Sequence, residues 1–311
     1  MTENLQTQKS SFKENSKKVI QHRWFKRSIW ILFSLFLISI ISAELYLSSI
    51  QPDNVLLASP VKGEPINVLL IGTDAGLLAG GGTMPSRSDV LMLFSFDPVT
   101  NKTMMVSVPR DTLVFLDGIG YNRINASHVF GGTAMVLSEV EELLQIPIHY
   151  YAKINFKGFS TLIDAIGGVP HLVEMDMDYE DPYDVPPLLI HLKEGFQNLN
   201  GDKAEQYVRF RNETGDIGRV ERQQKFIASL IRRVLTPTVW FRAPLVAIQM
   251  KDYLETNMHL SHGISLVAKF VTSKETYEVT LPGYGEYING AAYWVPNGFS
   301  LQNLWEQQKN K

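Results

Sequence analysis

Seven cations, Lys9, Lys13, Lys17, Lys18, Arg23, Lys26 and Arg27, stand ahead of residues 28–43, sixteen consecutive residues without a charge. In a water-soluble domain such a run has to be buried on every side. A bilayer removes that demand, because its hydrocarbon core takes about 20 apolar residues of helix. The run is slightly shorter than this, but Leu45, Tyr46 and Leu47 continue its character past Glu44, which fits at the far interface. Trp24, Trp30 and Tyr46 flank it as interfacial aromatics do, which argues against a buried soluble helix. Cations gathered on one side keep that side in the cytoplasm and send the rest of the chain out. A cleaved signal peptide is the alternative, with Ser42 and Ala43 as a weak cleavage site; the long basic region and Ile41 favour an uncleaved anchor. The expectation is a single-pass type II protein of the cell membrane. It has a cytoplasmic basic tail at 1–27, a transmembrane signal anchor at 28–50, a linker at 51–65 and one extracellular domain at 66–311.

Charge divides along the same boundary. The chain carries 29 Lys and Arg against 32 Asp and Glu; the first 50 residues hold seven and three of these, leaving 22 against 29 and a net charge of -7 beyond them. Nothing in this balance suggests a nucleic-acid binder. There is no cysteine, so disulfides, thiolate metal sites and cysteine nucleophiles are excluded together.

Past the linker, short apolar runs alternate with helical patterns. Residues 66–72 (INVLLIG), 89–97 (DVLMLFSFD), 103–108 (TMMVSV) and 150–154 read as strands, the second and third joined as a hairpin through residues 98–101. Residues 134–144 and 156–166 read as helices, the latter closed by Gly167 and Gly168, and further helices are expected at 201–207, 218–235 and 262–272. The tail from 277 to 311 reads as short strands and a terminal helix. Strands alternating with helices predict an α/β domain, and the early hairpin makes its central sheet mixed.

Charges at the ends of apolar strands mark the candidate site, because a charge there costs stability unless something compensates it. Asp74 follows the first strand, Arg87 and Asp89 open the second, and Arg110 and Asp111 follow the third; a fourth cluster, Arg209, Arg211, Asp216, Arg219 and Arg222, lies in RFRNETGDIGRVERQQ. In a hairpin, Asp89 enters at the edge where Arg110 leaves, so the topology gathers carboxylates and guanidiniums on one rim. Carboxylates without His or Cys suit a hard cation such as Mg²⁺ bound together with substrate phosphates. Guanidiniums suit phosphate, since their planar fork makes paired charge-assisted bonds. The joint expectation is a metal-assisted phosphoryl or pyrophosphoryl site. Neither a P-loop nor a dinucleotide fingerprint is present, and Gly80, Gly81 and Gly82 read as a loop beside the site.

The segments INVLLIGTD, SRSDVLMLFSFDP, VSVPRDT, RINASHVFGG, LIDAIGGV and YVRFRNETGDIGRVERQQKF, in this order, resemble the LytR-CpsA-Psr family of cell-envelope enzymes over residues 66–234. The resemblance implies a mixed central β-sheet sandwiched between helical layers, preceded by one transmembrane helix. It also implies a wall-polymer ligase of Gram-positive bacteria that moves a glycopolymer of teichoic acid or capsule type from a polyprenyl pyrophosphate carrier to peptidoglycan, with the lipid in an apolar tunnel and the pyrophosphate at its mouth. By motif, Asp74 and Asp89 hold Mg²⁺, while Arg87, Arg110, Arg211 and Arg219 grip phosphate and Gln223 is a supporting contact. Some members have an Arg shortly after the first Asp, where this chain has Ala75 and Gly76. The expected mechanism is attack by a muramic acid hydroxyl on the polymer's phosphorus, with Asp89, Arg110 and Arg219 as catalytic groups. A polyprenyl-lipid binding protein without turnover, or a pyrophosphatase with water as acceptor, would use the same residues. A transcription factor is disfavoured because the folded part lies outside the cytoplasm.

Other residues read more plainly. His259 and His262 are expected at a helix entry rather than in a metal pair, and residues 174–181 in an exposed strand or hairpin rather than a calcium loop. His128 lies near the rim. Phe156, Phe159, Leu162, Ile163 and Ile166 form a helical apolar stripe that suits a core and a lipid tunnel equally. Tyr284, Tyr287, Tyr293 and Trp294 are expected to pack rather than to meet a sugar.

Overall fold

The computed structural model describes residues 57–74, 86–182, 187–211, 215–298 and 300–309. The basic tail, the expected anchor, the start of the linker and the triple glycine lie outside them. Among the described residues no helix is long and apolar enough to cross a membrane.

Fourteen strands and eight helices follow one another among these residues. β1 (Ile66–Thr73), β2 (Ser88–Asp97), β3 (Lys102–Val108), β4 (Leu113–Leu116) and β5 (Gly120–Arg123) lead into α1 (Ala126–Leu144), β6 (Tyr150–Asn155) and α2 (Phe156–Ala165). Then come β7 (Val169–Val173), β8 (Met177–Asp181), β9 (Leu188–Leu192), β10 (Gly195–Leu199), α3 (Gly201–Arg209) and α4 (Gly215–Val234). The chain continues through α5 (Pro237–Trp240), α6 (Ala243–Met250), β11 (Leu254–Thr256), α7 (Leu260–Val271), β12 (Glu275–Thr280), β13 (Gly283–Ile288), β14 (Ala291–Pro296) and α8 (Leu301–Lys309).

The central sheet has the order β11-β6-β1-β2-β3-β12. β1, β2 and β3 run antiparallel to their neighbours in turn, β6 is parallel to β1, and β12 is parallel to β3. The mixed sheet expected from the early hairpin is therefore present. The β2–β3 turn is held by Asp97, which accepts from Val99 N at 2.8 Å and from Thr100 Oγ1 at 2.7 Å, and Asn101 takes the left-handed conformation at φ 55°.

Side chains alternate across a strand, and the two faces of this sheet bury different layers. Leu69, Ile71, Leu91, Leu93, Met104 and Val106 join Val136, Leu137 and Val140 of α1 and Val114 and Leu116 of β4 in one core cluster. The opposite face, with Leu70, Val90 and Met92, meets α2 and α4. A second core joins α2, α3, α4 and the β7–β10 pair, centred on Ile163, Tyr207 and Phe226.

α1 begins eight residues before the helix expected at 134–144. Gly132 interrupts it at φ 61°, ψ -154°, so the first turn is a separate piece that Gly131 and Gly132 disguise as loop in the sequence. β8 and β9 pair as the hairpin expected of the acidic run, but only one side is exposed, with Asp178 on His191 at 2.7 Å and Asp176 on Lys193 at 2.8 Å, while Met177, Ile190 and Leu192 are buried in the second core. His259 is the N-cap residue of α7, as a helix entry requires.

Candidate active site

The ladder between β1 and β2 changes register between Gly72 and Thr73. Gly72 faces Val90 and Thr73 faces Ser88, so Asp89 has no opposite residue. A bulge of this kind re-aims a side chain. It also needs Gly72: a Cβ built there would lie 2.9 Å from Val90 Cβ. Just outside the bulge, Asp74 and Arg87 are tied backbone to backbone at 3.2 Å, and Asp74 Oδ1 accepts the Arg87 N–H at 2.9 Å. The Arg87 guanidinium belongs to an exposed residue.

Arg110 leaves β3 at the edge where Asp89 enters β2, and its Nη1 donates to Asp89 Oδ1 at 3.0 Å. Both side chains are about four-fifths buried, with 23% and 19% exposed. The segment opening α1 fixes this rim from behind, since Asn125 N donates to Arg110 O at 3.1 Å and Ser88 N to Asn125 O at 3.4 Å. His128 reaches Ser86 O through Nδ1 at 2.7 Å, so it holds the chain leading into the bulge.

α4 supplies the other wall. Arg219, buried to 6% exposure, and Gln223 line a small pocket with Asp89, Arg110, Ser107 and Val108, about 10 Å³ in volume, room for one water. The rest of the RQQ motif anchors the helix: Arg222 Nη2 donates to Phe210 O at 2.8 Å and Gln224 Nε2 to Ser107 Oγ at 2.8 Å. Gln223 Nε2 donates to Val208 O at 3.2 Å. Burial pulls the Arg222 guanidinium below its usual range, with Glu174 and Tyr207 opposing.

Behind that pocket lies an apolar cavity of about 220 Å³, lined by Phe156, Phe159 and Leu162 of α2 and by Ile227 and Leu230 of α4. Val90, Met92 and Gln223 line both spaces. The helical stripe of the sequence serves both, for Ile163 and Ile166 sit in the second core, Phe156 faces the cavity, and Phe159 and Leu162 touch both.

The structure therefore brings Asp89, Arg110, Arg219 and Gln223 around one pocket, with Asp74 and Arg87 at the adjoining bulge. Arg211 is an exposed residue beyond α3, next to undescribed residues. Asp111, counted among the strand-end charges in the sequence, and Arg123, which was not, extend the rim. Asp111 Oδ1 faces Arg123 Nε at 3.4 Å and Asp111 Oδ2 faces Arg110 Nε at 4.0 Å, linking the site outward to β5. Arg123 opens the RINASHVFGG segment, and its position there was the available signal.

Asp74 and Asp89 offer only hard oxygen donors, and each accepts a protein N–H. Among the described residues no group of three or more His, Asp or Glu could hold a metal. This donor set fits a cation such as Mg²⁺ whose shell is completed by substrate oxygens and not a cage of protein ligands.

The chain is similar to "Polyisoprenyl-teichoic acid--peptidoglycan teichoic acid transferase TagV" of Bacillus subtilis (strain 168), with 32% identity over 255 residues, which are 78% of this chain and 64% of that protein. It is similar to the TagU transferase of Bacillus cereus, at 32% identity over 76% of this chain and 75% of the relative. A crystal structure of B. subtilis TagV superposes with a TM-score of 0.64 at 31% identity, over 80% of this chain and 96% of that one. A solved structure described as TagT bound to LI-WTA superposes with a TM-score of 0.62 at 26% identity, over 84% of this chain and 94% of that one. The LytR_cpsA_psr family model matches residues 43–310, and with the fold and the rim of carboxylates and guanidiniums now described, the chain belongs to that family.

Proposed function

We propose that this protein transfers an anionic wall glycopolymer from a polyprenyl pyrophosphate carrier to a muramic acid hydroxyl of peptidoglycan. One observation carries the reading. Val90, Met92 and Gln223 stand where a pocket of arginines and a carboxylate meets an apolar cavity, which suits an amphiphile with an anionic head and a hydrocarbon tail. The relatives named as teichoic acid transferases support the substrate class.

In the proposed reaction the lipid tail enters the cavity, and Arg110 and Arg219 hold the pyrophosphate. The muramic acid hydroxyl attacks the phosphorus that bears the polymer. The P–O bond to polyprenyl phosphate breaks, the hydroxyl proton passes to Asp89, and a phosphodiester joins polymer to glycan. Arg110 Nη1 on Asp89 Oδ1 aims the carboxylate at that hydroxyl. The two guanidiniums also stabilise charge growing on the bridging and leaving oxygens. Mg²⁺, held by Asp74 and Asp89 with the substrate, would supply further neutralisation of the diphosphate. The site faces the outside of the cell on a type II anchor formed by residues 28–50.

The test incubates the full chain in detergent with a lipid-linked wall precursor, Mg²⁺ and peptidoglycan oligomers, with product identified by mass spectrometry. Transfer predicts a polymer–glycan phosphodiester and free polyprenyl phosphate. Phosphate release that is independent of the glycan, or lipid binding with no turnover, would overturn the reading.

A further inference from the structure

We propose that the acceptor glycan lies along an exposed aromatic strip formed by the β4–β5 and β13–β14 hairpins, on the side of the catalytic rim away from the lipid cavity. This rests on the transfer reaction proposed above and names where its acceptor binds.

Register defines the strip. In the first hairpin Leu113 pairs with Arg123 and Phe115 with Tyr121, so these four share one face, while Val114 and Leu116 point into the core. Phe115 and Tyr121 are 57% and 74% exposed and meet edge to face at 5.2 Å. In the second hairpin Tyr284 pairs with Val295 and Glu286 with Tyr293, which puts Tyr284, Glu286 and Tyr293 on one face; Tyr287, Ala292 and Trp294 take the other. Arg123 joins the two. Its Nε donates to Ala292 O at 3.0 Å, and its guanidinium lies over the Tyr293 ring at 5.5 Å. Trp294 N donates to Asp111 O at 2.9 Å, and Thr112 bridges Trp294, so the second hairpin is fastened directly to the rim.

The chemistry of this face fits a sugar chain. Aromatic faces receive the C–H face of a pyranose ring, and Glu286 and Arg123 stand among the rings to meet hydroxyl and carboxylate groups. Burial of so many rings without a partner would be favourable, yet the fold leaves Tyr121 and Tyr284 in water. The strip is continuous with the reacting groups through Arg123, Asp111, Arg110 and Asp89.

Position then selects the acceptor over the donor polymer. β4 packs on the sheet face that bears Leu91 and Leu93, whereas the lipid cavity opens on the opposite face at Val90 and Met92. Displacement at phosphorus places attacking and leaving oxygens roughly in line. A leaving polyprenyl phosphate on the cavity side calls for a nucleophile from the hairpin side.

The test measures transfer by the full chain while either acceptor oligomer or lipid-linked donor is varied, alongside saturation-transfer NMR with phosphate-free peptidoglycan glycan oligomers. Tyr284→Ala and Tyr121→Ala should each raise the acceptor KM about tenfold, leave kcat and the donor KM within about twofold, and weaken the glycan signal. Tyr284→Phe should restore most of the binding. Tyr287→Ala, at 81% exposure on the other face, should change nothing and serves as the internal control. An unchanged acceptor KM, or an equal loss with Tyr287→Ala, would overturn the strip while leaving the transfer reaction standing. A rise in the donor KM alone would assign the strip to the incoming polymer and overturn the proposal. If wild-type protein transferred nothing, the NMR arm would still decide, since strip-dependent glycan binding supports the site and absence of binding sinks it.

Discussion

Arg110 and Asp89 meet at 3.0 Å although neither belongs to the regular ladder: Arg110 lies just past the end of β3 and Asp89 is the residue that β1 leaves without a partner. Two irregular positions on adjacent strands thus make the central ion pair of the rim. Replacing Arg110 or Arg219 with Ala should cut transfer by at least about 100-fold. Arg110→Lys should recover only a small part, because a point charge cannot reproduce the fork. Truncating Arg110 leaves the four-fifths-buried Asp89 carboxylate without this partner, so circular dichroism should show Arg110→Ala folded but with a lowered melting temperature, and Arg110→Ala with Asp89→Asn should recover part of that loss. Near-normal transfer by either Ala variant would remove these arginines from the chemistry.

Filling the apolar cavity should separate the tail from the head of the donor. Ile227→Trp extends into a space of about 220 Å³ that has room for it, so the fold should tolerate the change better than an insertion into a packed core. Its donor KM should rise strongly for long-chain lipid carriers and little for short-chain analogues. Equal effects on both would mean the cavity does not hold the tail.

Chelation should abolish turnover, and Mg²⁺ should restore it. Asp74→Asn keeps an oxygen that can accept the Arg87 N–H but lowers the negative charge, so it should need about tenfold more Mg²⁺ for half-maximal rate. Activity that survives exhaustive chelation would exclude a metal requirement.

Acid should destabilise the domain through two buried histidines. Burial pulls His149 and His171 below the ordinary histidine value of 6.5, against the opposing pull of Glu141 and Glu64 on the first and of Glu174 on the second. A lowered folded pKa means that the unfolded chain takes the proton first. Stability is therefore full above pH 6.5 and falls as pH drops through the folded pKa values, by at most about 1.4 kcal/mol per pH unit for each histidine. His149 also loses a contact on protonation, because its Nδ1 accepts the Asn67 N–H at 3.0 Å. His149→Asn, which retains an acceptor and does not titrate, should flatten the denaturation midpoint between pH 6.5 and 5. An unchanged slope would mean that His149 is not one of the groups responsible.

Much of the sheet was legible in the sequence because its central strands are apolar on both faces and bounded by charge, and because residues 98–101 made one hairpin obvious. Asp89 and Arg110 followed from that hairpin alone. The four-residue strands β4 and β5 were not legible: runs as short as LVFL and GYNR carry too little periodicity to separate strand from loop. The contact of Arg123 with Asp111 went with them, since only the pairing of β4 with β5 brings those side chains together. Tyr284 and Tyr287 were expected to pack, yet they are 53% and 81% exposed. Composition cannot distinguish a ring that finishes a core from one left standing on a hairpin.

The unpaired position of Asp89 has an evolutionary meaning. Upstream and downstream of it, every residue of β2 is committed to one layer or the other by parity, and a substitution there must answer to its neighbours. The extra residue answers to none of the rungs. Its carboxylate is an appendage to a finished ladder, so mutation can test new chemistry at that point while the inside and outside of the sheet keep their assignment.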